Sequence, residues 1–305
     1  MQTTIAESFR LADLALHSGQ ESSVTFFPAP VNTGIIFRRT DVLDADAIIP
    51  ARVEYVSDVT LCTKVTNADG VSVSTIEHAL AGLAACGVRN AVLEVSGPEL
   101  PALDGSALPY VIKILEVGVK PLDMPVKVIR ILKPVSVEFD GVRASLEPSE
   151  QAEMDFTINF PEPIGNQNRS MILANGSIAR HLSDSRTFCI RSQIESLLSN
   201  GFGLGGNNEN VLVADCENNR FLGEPRHKDE CVRHKMLDAV GDLSLAGSPI
   251  IGKFRGYRSG HQTTVALLRQ LFAEEGAFEL SDADSDTAAR LPGAGVHIRD
   301  VPPAH

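Results

Sequence analysis

The order of strand-like and helix-like segments along this chain is the feature that most limits its fold. Residues 22–58 alternate apolar and polar side chains in short runs broken by Pro, Asn and Gly, which predicts antiparallel strands. Residues 71–95 change from strand to helix and back to strand, and a helical pattern over 108–119 closes the unit. The same order recurs after PLDMPVK, which has two prolines in seven residues. The sequence therefore predicts two α+β units of similar plan.

The proline-rich segment predicts where the two units divide. We place an N-terminal α+β domain at residues 1–121 and a C-terminal α+β domain at residues 122–279, each with sheet packed against helices. In the second domain we expect several strands, a helix around Ile190 to Ser199 and a long helix from about Asp229 to Leu245. Residues 280–305, which include Gly293, Gly295, Pro302 and Pro303, are expected to form a flexible tail.

Charge and hydropathy exclude several classes of protein. The net charge of −12 repels nucleic-acid backbones and anionic lipid surfaces, so we expect no nucleic-acid partner. Six acidic residues and no basic one lie within residues 274–286, so half of that charge is near the C-terminus. No run approaches the ~18 to 20 apolar residues that cross a bilayer, which predicts no stable membrane insertion.

The cysteines and the N-terminus indicate the compartment. Five widely spaced cysteines without a CxxC motif are typical of free thiols in a reducing environment. The first nineteen residues interrupt their apolar positions with Glu7, Arg10 and Asp13, so they do not form a secretory signal. We therefore expect a cytoplasmic protein, and we expect it to be a monomer.

The segment RHKMLDAVGDL predicts a helix with three polar side chains on one face. Helical positions four apart lie within about 40° of each other, so His234, Asp238 and Asp242 form one stripe. An imidazole and a carboxylate one turn apart can share a divalent metal ion, with the further acid as a supporting partner. A hydrogen-bonded pair at the surface remains the alternative interpretation of His234 and Asp238.

A second candidate pair lies in STIEHAL, at the predicted start of an apolar helix. Ser74 and Glu77 match the S/T-x-x-E capping box, in which Ser74 would be the N-cap and Glu77 would have no catalytic role. His78 adjoins Ala and Leu residues, so it is either a hydrogen-bonded core histidine or a metal ligand. Two histidines and one aspartate with a position left for water would suit catalytic zinc, with Glu77 as the base. Such a site would join both halves of the chain.

The remaining polar motifs carry weaker signals. His261 follows a glycine in SGHQTT, which we predict to be a loop, and there it is either solvated or a cationic imidazole held by Asp242 that protonates a leaving amine. The GFGLGGNNEN segment lacks the GK[ST] ending of a phosphate-binding loop, so we interpret it as a turn. The LDGSALP segment is also interpreted as a turn, because nothing around Ser106 matches a nucleophile elbow.

Taken together, these segments resemble one family, the zinc-dependent UDP-3-O-acyl-N-acetylglucosamine deacetylases of lipid A biosynthesis, or LpxC family. The resemblance is most specific in HKMLDAVGD combined with STIEH. The matching segments occur in the family's order at 16–19 (LHSG), 28–41 (PAPVNTGIIFRRTD), 61–63 (LCT), 74–95 (STIEHALAGLAACGVRNAVLEV), 103–109 (LDGSALP), 185–188 (SRTF), 204–206 (LGG), 233–243 (RHKMLDAVGDL) and 259–261 (SGH).

The resemblance implies a role for each candidate residue. His78, His234 and Asp238 would bind Zn²⁺, and Glu77 would act as general base on the attacking water. His261, supported by Asp242, would protonate the glucosamine nitrogen. The resemblance also implies that the Thr187 hydroxyl helps to hold the oxyanion and that Lys235 contacts the substrate, UDP-3-O-acyl-N-acetylglucosamine. Ligand type does not separate zinc from iron(II), because imidazole and carboxylate accept both.

The family fold implied by the resemblance has two α+β domains with the active site between them. An insert in the second domain, here about Cys189 to Asp215, would form a hydrophobic passage for the acyl chain. The candidate lining residues are Ile190, Ile194, Leu197, Leu198, Phe202 and Leu204, some of which could instead pack in the domain core.

Two segments depart from the family pattern. The approach to His17 reads ADLALHSG, and the segment after His261 reads QTTVALL. Neither departure removes a proposed metal ligand or the base, so activity is expected. The alternative is a non-catalytic binder of a nucleotide sugar or an acyl chain on the same fold.

Overall fold

A computed structural model describes residues 1–303 of the chain. In the first part of the chain the helices are α1 (Glu77–Ala85) and α2 (Leu108–Val117). The strands there are β1 (Thr3–Ile5), β2 (Phe9–Leu14), β3 (Glu21–Pro28), β4 (Ile35–Arg39), β5 (Ile48–Pro50), β6 (Val56–Asp58), β7 (Lys64–Thr66), β8 (Ser72–Val73), β9 (Ala91–Val95) and β10 (Val119–Pro121).

The second part of the chain repeats the order of strands followed by helices. Its strands are β11 (Lys127–Ile131), β12 (Val135–Phe139), β13 (Val142–Glu147), β14 (Ala152–Asn159), β15 (Asn166–Ile172), β16 (Phe188–Ile190), β17 (Leu212–Asp215), β18 (Arg220–Leu222), β19 (Ile250–Tyr257) and β20 (Phe278–Asp282). Its helices are α3 (Ser177–His181), α4 (Ile194–Ser199), α5 (Glu230–Leu243), α6 (His261–Ala273) and α7 (Ser285–Ala289).

Each part of the chain builds its own main sheet. The first sheet has the order β2-β3-β9-β4-β5, in which β4 and β9 are parallel and the other neighbours are antiparallel. The second sheet has the order β12-β13-β19-β11-β20, and β14 with β15 joins it alongside β19. Strands such as β9 and β14 bury alternate residues, so one face of each sheet lies on the core. This mixed architecture confirms the predicted α+β class, whereas the domain boundaries stay a prediction.

Helices α1 and α5 lie against each other at the centre of the molecule. Every residue of α1 is buried, and most of α5 is buried as well, as is typical of helices enclosed by other elements. A Cβ atom at Gly241 of α5 would collide with the carbonyl oxygen of Glu77 and lie 2.8 Å from its carbonyl carbon. Glycine at this position therefore lets the backbone of α1 approach α5 closely.

We expect Gly241→Ala to destabilise the protein by about 1 to 3 kcal/mol, the usual cost of overpacking. Helix propensity alone predicts the opposite sign, because alanine favours a helix interior by about 1 kcal/mol over glycine. Chemical denaturation measures the difference. Gly97→Ala is the control, because a Cβ there meets nothing within 4 Å. Equal midpoints for the two variants would contradict the close approach.

Two local predictions from the sequence are wrong. Helix α1 begins at Glu77 with Ile76 as N-cap, and the Ser74 hydroxyl donates to the carbonyl of Pro98, so there is no capping box. Thr75 has a positive φ of 58°, which separates Ser74 from the helix start. His261 is the first residue of α6 rather than a loop residue. The helix predicted around Ile190 to Ser199 is present: a 3₁₀ turn over Arg191–Gln193 leads directly into α4.

Part of the predicted flexible tail contributes to regular structure. Strand β20, which pairs with β11, spans the predicted boundary at residue 279. Further along, the Asp284 carboxylate accepts from the Thr287 amide at 2.7 Å and so caps α7. Leu291 is buried with Val126 and Ile251. The last two residues of the predicted tail, Ala304 and His305, lie outside the described residues. Within residues 1–303, no helix combines the length and the apolar character needed to span a membrane.

Candidate metal centre and active site

The structure brings His78, His234 and Asp238 together, although 156 positions separate the first two in the chain. His78 is the second residue of α1, and the other two lie one turn apart on α5. Asp238 Oδ1 is 3.5 Å from His78 Nε2 and 3.2 Å from His234 Nε2. One ligand atom from each residue lies within 4.8 Å of the others, and all three residues are buried. They are therefore neither a surface pair nor an isolated core histidine.

Neighbouring groups orient two of these side chains. His234 Nδ1 lies 3.0 Å from the Ser185 carbonyl oxygen, an acceptor that places the proton on Nδ1 and leaves the Nε2 lone pair towards Asp238 and His78. Lys235 Nζ donates to Asp238 Oδ2 at 2.7 Å, which leaves Oδ1 facing the two imidazoles. His234 Nε2 and Asp238 Oδ1 thus each present a free electron pair to a common centre.

The electrostatics of this cluster favour a bound cation. Burial lowers the pKa of His234 to about 4, so its imidazole is neutral at pH 7. Burial alone would raise the pKa of Asp238, but His234 and Lys235 hold it well below its usual value, so the carboxylate is ionised. Burial would lower the pKa of His78, yet its hydrogen bond to Asp238 and the charge of Glu77 raise it overall. A positive charge is therefore stabilised between these groups.

The donor set fits a catalytic divalent metal. Two imidazole nitrogens and one carboxylate oxygen are a common ligand set for Zn²⁺, and they leave the fourth tetrahedral position for water or substrate. The same donors also accept Fe²⁺. The structure supports a metal centre here without specifying the metal.

Glu77, His261 and Asp242 lie beside this cluster. Glu77 Oε2 accepts from the Thr63 amide at 3.0 Å, and Oε1 is 4.0 Å from His261 Nε2. His261 Nδ1 is 2.8 Å from Asp242 Oδ2, while the Thr63 hydroxyl donates to the other Asp242 oxygen at 2.7 Å. Asp242 thus holds the imidazole of His261 through Nδ1, and the other ring nitrogen, Nε2, lies near the carboxylate of Glu77.

These contacts perturb two pKa values. Burial raises the pKa of Glu77, which makes it a stronger base than an exposed glutamate. Burial would lower the pKa of His261, but the charge and hydrogen bond of Asp242 raise it to about 9. At neutral pH the imidazole of His261 is therefore cationic and able to donate a proton.

Thr187 and Lys235 lie next to the residues that orient the cluster. Thr187 directly precedes β16, and its amide donates to the Gly105 carbonyl at 2.9 Å. It follows Ser185 by two residues and precedes Phe188, whose ring meets that of His234 edge-on at 6.2 Å. Lys235 is partly buried and bonded to Asp238 as described above.

Sequence reasoning did not identify the roles of Thr63 and Ser185. Both lie in segments that carried the family resemblance, LCT and SRTF. The Thr63 amide and hydroxyl connect Glu77 with Asp242, and Ser185 contributes only its carbonyl oxygen. A backbone contact has no side-chain signature, so spacing could not reveal it.

The segment around His17 forms one edge of this region. The His17 ring meets the Phe202 ring edge-on at 5.4 Å, and the Leu204 amide donates to the His17 carbonyl at 3.1 Å. Burial lowers the pKa of His17 and the charge of Glu99 opposes that shift, while the nearby His78 and His261 lower the pKa further. Both His17 ring nitrogens are buried without a hydrogen-bond partner among residues 1–303. The altered segment before His17 therefore adjoins the catalytic region.

The six candidate residues for the acyl passage lie outside the buried core. All are partly or largely exposed, with Leu198 at 44% and Leu204 at 54%. They lie on β16, on α4 and on the turn that contacts His17. Their exposure favours a lining role over core packing.

Comparison with known proteins gives a consistent result. The family model described as UDP-3-O-acyl N-acetylglycosamine deacetylase matches residues 2–273. A UDP-3-O-acyl-N-acetylglucosamine deacetylase of Shewanella frigidimarina is 39% identical over 306 residues, which cover 97% of this chain and 99% of the relative. The enzyme of the same name from Shewanella oneidensis is also 39% identical, over 97% of this chain and 98% of its own length.

Proposed function

The chain belongs to the LpxC family of UDP-3-O-acyl-N-acetylglucosamine deacetylases, and from this premise we propose that it hydrolyses the N-acetyl group of UDP-3-O-acyl-N-acetylglucosamine in lipid A biosynthesis. The reaction cleaves a linear amide and releases acetate. The observation that carries the proposal is the convergence of His78, His234 and Asp238 beside Glu77 and the cationic His261. In this proposal the metal ligands, the base and the acid all lie in one buried cluster.

In this proposal His78, His234 and Asp238 hold Zn²⁺. A Zn²⁺ ion supplies Lewis acidity towards the acetamide carbonyl and lowers the pKa of water to about 7. Lys235 and the Ser185 carbonyl fix the orientations of Asp238 and His234, so the ligand atoms are arranged before the ion binds.

Glu77 and His261 carry the two proton transfers. Glu77 Oε1 takes a proton from the attacking water, and its raised pKa suits that role. His261 Nε2 donates to the glucosamine nitrogen as the C–N bond breaks, while Asp242 stabilises the imidazolium. Thr187 would donate its hydroxyl proton as a hydrogen bond to the oxyanion, and Lys235 would contact the substrate with its remaining N–H donors.

Release of acetate from purified UDP-3-O-acyl-N-acetylglucosamine tests the proposal. We expect turnover by the metal-loaded protein, loss of turnover after chelation and recovery when Zn²⁺ is restored. Iron(II) added to the chelated protein compares the two metals that the ligands accept. Binding of the substrate without acetate release in the metal-loaded protein would instead support the non-catalytic alternative.

The proposal places a monomeric enzyme in the cytoplasm. All residues of the cluster come from one chain, so the site needs no second copy. The five cysteines are free, as a reducing compartment would keep them.

The pH profile should report on His261. Because the pKa of His261 is raised to about 9, the donating form is present below that pH, and kcat/KM should fall as pH rises through this range. A bound metal ion would lower that limit, since positive charge disfavours the imidazolium. Asp242→Asn removes the main group that raises the pKa, so its alkaline limb should move to lower pH. An unchanged alkaline limb in that variant would show that His261 is not the acid.

A further inference from the structure

A cavity of about 590 Å³ lies on the side of α1 and α5 away from the metal cluster. Its size is within the range of about 300–1,000 Å³ that is common for small-molecule sites. On α1, Leu83 is five residues from His78 and so lies about 140° around the helix from it. The cavity has aliphatic walls from α1, α3, α5 and the residue before β11, including Leu80, Leu83, Val126, Ile178, Val240 and Leu243.

A second cavity, of about 500 Å³, adjoins the first. The two share Arg89, Val126 and Pro292 among their lining residues. The second cavity lies under residues 288–298 and is also largely aliphatic, with Cys86, Leu115, Val119, Leu291, Val296 and Ile298 in its walls. Arg89 therefore stands where two apolar spaces meet.

Arg89 differs from the other cations of the first cavity. Lys127 Nζ is 3.0 Å from Asp282, and an Arg52 nitrogen is 3.6 Å from Glu54. Arg89 has one side-chain bond, from Nη2 to the Pro292 carbonyl at 2.9 Å, and forms no ion pair with a carboxylate among residues 1–303. Burial lowers the pKa of Arg89 to about 10, which still leaves it charged at pH 7.

Three amide side chains of the first cavity are already hydrogen-bonded to protein groups. Gln2 Nε2 donates to Asn32 Oδ1 at 2.8 Å, and Asn90 Nδ2 donates to Gln2 Oε1 at 3.1 Å. Asn90 Oδ1 accepts from the Gly34 amide at 3.0 Å. The Arg89 guanidinium therefore keeps donors for a ligand, and a cation with no acidic partner among residues 1–303 is costly in a largely apolar setting.

We propose that the adjoining cavities bind a fatty carboxylate, with its headgroup on the Arg89 guanidinium and its alkyl chain along the aliphatic walls. Guanidinium binds carboxylate through two parallel hydrogen bonds, given by Nη2 together with either Nε or Nη1. Nη2 of Arg89 has a second N–H besides the one that donates to Pro292, and Nε and Nη1 are both available to complete the pair. A free inorganic anion would satisfy the charge but would leave the apolar space unfilled. The site is separate from the proposed deacetylase centre, because none of the residues assigned to that centre lines either cavity.

Dodecanoate binding to the full-length, metal-loaded protein tests this site by titration calorimetry. Arg89→Gln should weaken binding at least about 10-fold, the effect of losing a charged hydrogen bond. Arg89→Lys should retain part of the affinity, because it keeps the charge. Lys113→Gln is the matched control, since it removes a cation from the exposed surface of α2 and should leave binding unchanged. Dodecanol, which lacks the carboxylate, should bind equally weakly to wild type and Arg89→Gln.

Photo-crosslinking locates the ligand and separates it from the acyl passage. A diazirine-labelled dodecanoate should mark peptides that contain residues 80–90 or 288–298. Labelling confined to residues 189–215 would overturn the proposal, as would unchanged affinity in Arg89→Gln. Crosslinking of wild type remains informative if Arg89→Gln fails to fold. Neither readout depends on deacetylation, so this site can fail while the proposed function stands, and the reverse also holds.

Discussion

His234→Ala is expected to abolish deacetylation and to remove the bound metal. Wild-type protein should hold about one equivalent of metal at a three-ligand site. Without His234, the centre keeps one imidazole and one carboxylate, and Asp238 loses the neighbour 3.2 Å from its Oδ1. Two ligands bind a divalent ion poorly, so elemental analysis should find little metal after dialysis, and acetate release should fall below detection.

His181→Ala is the matched control for this variant. His181 is an exposed histidine at the end of α3, outside the cluster, so its removal should leave metal content and turnover unchanged. His78→Ala and Asp238→Ala should behave like His234→Ala. Full metal content in any of the three would remove that residue from the ligand set.

Glu77→Gln is expected to keep the metal and lose about 10²- to 10⁴-fold in kcat, the usual contribution of a general base. Glutamine has nearly the same shape, and its carbonyl oxygen can still accept from the Thr63 amide, so the start of α1 should be preserved. It cannot take a proton from water. Steady-state kinetics on samples of equal metal content measures the loss, and KM should change little.

Two further variants sharpen this test. Glu116→Gln makes the same chemical change at an exposed position of α2 and should have no effect on turnover. Glu77→Ala should lose at least as much activity as Glu77→Gln, because it also loses the bond from Thr63. Undiminished turnover in Glu77→Gln would reduce this residue to an acceptor for the Thr63 amide.

Comparing His234→Ala with Glu77→Gln separates metal binding from proton transfer. His234 and Asp238 belong to the same buried cluster as the base, but Ser185 orients the first and Lys235 the second. Loss of metal in His234→Ala and its retention in Glu77→Gln would show that His234 binds the metal and that Glu77 does not. Their effects should not add in a double variant, because a base has nothing to act on without the metal.

The stripe on α5 shows how far local spacing reaches. Helical periodicity places His234, Asp238 and Asp242 on one face, and the structure agrees. It does not distinguish the two acids, which differ in their partners. Asp238 meets His234 and His78, whereas Asp242 accepts from Thr63 and holds His261. The elements packed against each turn of α5 decide which acid lies beside the two imidazoles and which acid holds His261.

The start of α1 shows where local pattern misleads. Ser74 and Glu77 have the spacing of a capping box, but the positive φ of Thr75 takes the backbone out of the conformation that a capping box needs. Glu77 then turns its carboxylate towards the Thr63 amide rather than the helix cap. The same change brings His78 to α5, where Gly241 allows the close approach. A pattern within one segment cannot specify a bond to another.

The sequence by itself determined the α+β class, most strands and helices, the family and the residue types available for catalysis, because periodicity and motif spacing are properties of neighbouring residues. The tertiary structure alone decided that His78 and His234 share a centre and that Thr63 and Ser185 orient it. It also decided that Arg89 lies where two cavities adjoin and forms no ion pair with an acid in residues 1–303. Those features depend on contacts between segments distant in sequence, whose distances and burial follow from packing of the whole chain.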